Sequence, residues 1–105
     1  MTKRRRHPVA VREALEGYLK RTGLAKRLEQ TAVIPEWPEL VGAPIAAVTE
    51  PERVTADGTL FVQVATHAWM NELQLMTPQI LAAINRRRTA GRVTNIRWVL
   101  QTPLR

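Results

Sequence analysis

Between residues 59 and 84 the apolar positions change period once, from two to nearly four. Leu60, Val62 and Val64 alternate with Phe61 and Gln63 in a stretch rich in β-branched residues, which predicts a strand over residues 59–66 with one buried face. From His67 onward Trp69, Leu73, Met76, Ile80 and Ile84 recur at steps of three and four, so a long helix with one apolar seam follows. Thr66 suits its N-cap. Pro78 removes one backbone N–H and predicts a bend or restart there, with Thr77 capping the new segment.

The same pattern reading orders the rest of the chain. Pro8 fits the first turn of a helix whose stripe is Val11, Leu15, Tyr18 and Leu19 and which ends at Gly23. A second helix is expected over residues 24–33, with Leu28 and Ala32 inward and Pro35 as its stop. Residues 34–42 read as a connector and a last helical turn that carries Trp37, Leu40 and Val41 on one side. Trp37 is read as core from that spacing, although an indole after a proline can also stack on a base. Residues 45–55 predict a strand that Pro51 confines to a sheet edge or a break. Through the Asp57-Gly58 turn it pairs antiparallel with residues 59–66. After a break at Ala90-Gly91, residues 93–100 form a third strand with Ile96, Trp98 and Leu100 on one face and Arg97 on the other. Trp69 falls on the buried seam by its register with Leu73 and Met76. The organisation expected is a basic arm at 1–7, one domain at 8–101 and a short tail at 102–105.

Composition narrows the chemistry. The 105 residues, 45% hydrophobic, suit one domain with a modest core. Cysteine and serine are absent, which excludes a disulfide framework, a thiolate metal site and both nucleophiles. His7 and His67 lack metal-ligand spacing, and no GxxxxGK[ST] or GxGxxG loop occurs, so neither a zinc site nor a conventional nucleotide-hydrolysing motor is expected. The pairs Glu36/Glu39 and Glu50/Glu52 read as solvated carboxylates rather than a catalytic pair. With no long apolar run, a membrane span and a signal peptide are not expected, and a reducing cytosolic setting is. A binding module without a cofactor or small-molecule substrate is left.

Charge adds a partner class. The formal net charge is +7, but residues 1–27 carry nine Lys/Arg against two Glu, residues 28–85 one Arg against seven acids, and residues 86–105 six Arg and no acid. Basic ends flank an acidic middle. If folding brings the ends together they form a footprint for a phosphate backbone, single- or double-stranded, although a solvated basic surface is the plain alternative. The candidate contacts are Lys3, Arg4, Arg5, Arg6, Lys20, Arg21, Lys26, Arg27, Arg86, Arg87, Arg88, Arg92 and Arg97. Arg86, Arg87 and Arg88 also complement the negative pole of the long helix.

Taken jointly, Trp37-Pro38-Glu39-Leu40-Val41-Gly42, the strand from Gly58 to Val64, Trp69-Met70-Asn71-Glu72-Leu73, Ile84-Asn85 and the segment from Val93 to Trp98 resemble the DciA family over roughly residues 10 to 100. The resemblance implies an α+β, KH-like fold of order α-α-β-β-α-β, with N-terminal helices and one long kinked helix on one face of a three-stranded sheet. It implies a bacterial, nucleoid-associated adaptor that binds DNA and recruits and helps load the replicative DnaB-type helicase, without an ATPase of its own. No GxxG is present, so the backbone clamp of true KH domains is missing. A KH-like RNA-binding module, and a plain interaction domain, are the alternative readings of the same basic ends.

Overall fold

A computed structural model of the protein describes residues 8–101. The arm with Lys3, Arg4, Arg5 and Arg6 and the tail at 102–105 lie outside the described residues. Five helices and three strands follow in the order α1 (Pro8–Thr22), α2 (Leu24–Thr31), α3 (Val33–Val41), α4 (Ala43–Ala46), β1 (Thr49–Val54), β2 (Thr59–Val64), α5 (His67–Asn85) and β3 (Asn95–Leu100). The α+β class and the β-β-α-β order are as expected. Strand order is β1-β2-β3, with β1 antiparallel and β3 parallel to β2.

The alternation of β2 fixes the layers. Leu60, Val62 and Val64 are fully buried against the helices, joined by Val54 from β1 and Ile96 from β3. Leu73, Ile80 and Ile84 of α5 fill the same core, while Trp69 and Met76 are half-buried against it. α5 lies over β2 and β3, and α2, α3 and α4 lie over β1. Thr66 caps α5 as expected, its hydroxyl accepting from the Trp69 N–H at 3.1 Å.

Four expectations are corrected. The segment at 34–42 is no connector: α3 begins at Val33, because Pro35 sits in a first turn, where its missing N–H would have had no helical partner. Residues 45–48 do not belong to the first strand, since α4 occupies 43–46 and β1 starts at Thr49. Thr77 does not cap a restarted helix; α5 runs through Pro78, and the Thr77 hydroxyl donates back to the Leu73 carbonyl at 2.9 Å. Finally, α1 packs against α2 and not against the sheet, so Val11, Leu15 and Tyr18 are more than half exposed, as is Leu28.

Candidate nucleic-acid interface

The loop that follows α5 packs against α2, which carries Lys26 and Arg27. Its neck is closed by Asn85, whose side-chain amide donates to the Val93 carbonyl at 2.7 Å and accepts from the Val93 N–H at 2.8 Å. Its tip is held by Glu29 of α2, where one carboxylate oxygen accepts from the backbone N–H groups of Thr89, Ala90 and Gly91 at 3.2, 3.1 and 2.7 Å. The Gly91 hydrogen bond is the largest influence holding this carboxyl below its ordinary range; partial desolvation opposes it, and the Thr89 and Ala90 bonds and the Arg88 charge assist. Gly91 itself touches the helix. A Cβ there would stand 2.4 Å from the Lys26 carbonyl oxygen and 2.5 Å from the Glu29 Cβ, so only glycine allows the approach.

Arg88 fastens the same junction from inside. Its side chain is 8% exposed, and its guanidinium donates to the Ile84 carbonyl at 2.6 Å, the Glu29 carbonyl at 2.9 Å and the Glu36 carboxylate at 3.0 Å. One cation thus closes the C-terminal ends of α5 and α2. This corrects the reading of Arg88 as a phosphate contact, because the side chain is buried and each of its three nitrogens already donates within the fold. Glu36 stays half exposed, as a solvated acid would, and is in addition the ion-pair partner of Arg88.

The other basic candidates divide by exposure. Lys20, Arg21, Lys26, Arg86, Arg87, Arg92 and Arg97 are exposed. Arg27 is half-buried and donates to the Gln30 side chain at 2.7 Å, and the fully buried Gln30 in turn donates to the Ala56 carbonyl at 3.3 Å. Through these bonds α2 reaches the β1–β2 turn. Gly58 in that turn, at φ +93°, packs against the Arg92 carbonyl and accepts from the Thr94 N–H at 2.8 Å. So Lys26, Arg27 and Arg92 are carried by adjoining segments at one end of the sheet, with Arg86 and Arg87 at the end of α5, while Arg97 stands on the opposite face of β3 from the buried Ile96.

A cleft of about 440 Å³ separates α3 from the end of α5, but Glu29, Glu36 and Glu39 share its walls with Arg86, Arg87 and Arg88. Such mixed walls neutralise one another and suit a phosphate poorly. Trp37 is 1% exposed, donates from Nε1 to the Thr49 hydroxyl at 2.8 Å and lies 6.4 Å from Trp98 at 57°. Trp98 donates from Nε1 to Thr77 at 2.9 Å. Both indoles hold elements together. Trp69 instead lines a groove of about 450 Å³ with Ile45, Ala68, Glu72 and Met76. Sequence reasoning missed Glu29 and Asn85, because both partners are backbone amides, which no side-chain pattern reveals.

Fold and site define a small α+β domain in which, among the described residues, no three His, Asp or Glu are placed to hold a metal ion and no helix is long and apolar enough to cross a membrane. Its sequence matches the model of a family described as Dna[CI] antecedent, DciA, over residues 10–98, and the chain belongs to the DciA family. Similar bacterial proteins carry the name UPF0232. That of Streptomyces avermitilis is 32% identical over 81 residues, covering 76% of this chain and 45% of the relative. That of Rhodococcus jostii is 37% identical over 65 residues, covering 62% and 34%. That of Mycobacterium tuberculosis is 32% identical over 79 residues, covering 75% and 42%. The chain spans less than half the length of these relatives.

Proposed function

We propose that the protein is a non-enzymatic, DNA-binding adaptor that recruits and helps load the bacterial replicative DnaB-type helicase. Membership of the DciA family carries the reading. It is supported by the junction at Gly91, which sets the exposed Lys26 of α2 beside the cations of the loop after α5. Phosphates meeting Lys26, Arg86, Arg87 and Arg92 would release counterions and gain affinity without reading sequence. An adaptor also needs a surface for the helicase. We assign it to the exposed side of α5, where Leu75 is 80% exposed one turn beyond Asn71 and Glu72. The test is retention of the host's replicative helicase on the immobilised chain at low salt. Retention that is lost when Leu75 is replaced by glutamate supports the assignment, and no retention by the unaltered chain removes the adaptor reading.

A further inference from the structure

The face of the sheet away from the helices carries one row that neither the core nor the basic junction explains. Across the three strands Arg53, Phe61 and Arg97 stand opposite one another in register. Phe61 takes no part in the core, yet it is an aromatic side chain, half-buried, on the outer face of the central strand. The row depends on a bulge. Regular pairing onward from Pro51↔Val62 would set Glu52 against Phe61 and Arg53 against Leu60, on the buried face. The extra residue between Pro51 and Arg53 shifts the register, so Val54 turns inward and Arg53 turns out over Phe61. There the guanidinium carbon lies 4.1 Å from the ring centroid, a stacked cation–π contact.

The guanidinium is planar and its side chain is 60% exposed, which leaves its outer face open. Its neighbour Glu52 is 3.8 Å away and is also hydrogen-bonded by the Gln63 amide, a weak exposed pairing. Beside the row is a concavity of about 570 Å³ edged by Thr55, Asp57, Thr59, Asn95 and Arg97, all of them hydrogen-bonding side chains. The Thr55 hydroxyl, and then the Thr59 N–H, hold the Asp57 carboxyl at the far edge of the concavity below its ordinary range.

We propose that this open face is a stacking platform for single-stranded nucleic acid, with an unpaired base on the Arg53–Phe61 stack and Arg97 at the phosphate. The proposal rests on the DNA-binding reading and deepens it. Aromatic rings and guanidinium planes bind unpaired bases by their π-faces, whereas a duplex has already stacked its own.

Fluorescence anisotropy of the whole chain with oligothymidine, an abasic strand of equal length and a blunt duplex separates the possibilities. Oligothymidine is expected to bind about tenfold tighter than the abasic strand, on the usual strength of base–aromatic stacking. Arg53→Lys keeps the charge but removes the plane, and Phe61→Leu keeps the apolar volume but removes the ring. Each should bring oligothymidine down toward the abasic affinity, change abasic and duplex binding less than about twofold, and leave the melting temperature in place. The same losses with oligouridine support the platform equally, since stacking reads the base and not the sugar. Equal binding of the oligothymidine and abasic strands by the unaltered chain overturns the platform and leaves the DNA-binding reading standing. No binding of any strand at low salt overturns both.

Discussion

Replacing Arg88 with alanine separates a cation that holds the fold from one left free on the surface. The side chain donates to two helix-terminal carbonyls, those of Ile84 and Glu29, at 2.6 and 2.9 Å. Hydrogen bonds from a charged donor are each worth about 1.5 to 3 kcal/mol. The third partner, Glu36, is 50% exposed and adds no more than about 1 kcal/mol. Water re-entering the truncated site will satisfy part of what is lost, so the lower end applies, about 3 kcal/mol. A domain of this size has roughly 5 to 15 kcal/mol in total, so the loss is a large share of it. At about 4 to 8 °C per kcal/mol the melting temperature should fall by roughly 12 to 24 °C. Urea unfolding followed by tryptophan fluorescence, to which the buried Trp37 contributes, measures this, with the exposed Arg87→Ala as a control expected within about 0.5 kcal/mol of the parent. Arg88→Lys should not rescue, because an ammonium cannot reach three acceptors in the geometry of the fork. An Arg88→Ala protein with an unchanged midpoint and weakened DNA binding would refute the argument and return Arg88 to the phosphate surface.

Three further outcomes follow from the same junction and seam. The Glu29 carboxyl is held below its ordinary value of 4.5, so its contribution is fully present above that value and is lost as pH falls through the lowered one; in urea midpoints measured across that acid range, Glu29→Gln should be less stable at neutral pH and show a flatter decline. Gly91→Ala forces a Cβ to within 2.4 Å of the Lys26 carbonyl and should destabilise by about 1 to 3 kcal/mol, read from the same unfolding curves, with no change if the loop can lift freely from α2. Trp69→Ala should cost less than the roughly 3 to 5 kcal/mol of a fully buried aromatic, because the indole is only half-buried; calorimetry gives the shift, and a loss of helicase retention at an unchanged melting temperature would make Trp69 a partner contact.

What the sequence reveals of this fold is what local pattern controls. The alternation of β2, the seam of α5, the Thr66 cap and the inward residues of β3 all depend on a single element meeting one core, and each is found as expected. The failures come from interactions between elements. Pro35 reads as a stop by itself but is harmless in a first turn, a distinction set by where α2 ends. The apolar stripe of α1 satisfies the rule for a packed helix, yet no sheet surface lies under it, and periodicity carries no information about that. Arg88 stands in a run of three arginines that look alike on paper; the direction of each depends on the turn at residues 86–88 and on Glu29, 59 residues upstream. The bulge at Glu52 was equally hidden, because the alternation around Pro51 is compatible with either register until β2 is set beside it.

The most direct measurement of the central claim is the salt dependence of DNA affinity with and without the exposed cations that the loop after α5 carries. The structure leaves Arg86, Arg87 and Arg92 exposed there, with Arg88 turned inward. Replacing the three together should preserve the fold and flatten the slope of log affinity against log salt by roughly two to three units, at about 0.7 to 0.9 per phosphate contact. The Lys3 to Arg6 arm, replaced separately, should add its own decrement. A slope unchanged by removing both sets, in a protein that still unfolds at the parent's midpoint, would contradict the account and leave the basic ends as surface that solvates the domain.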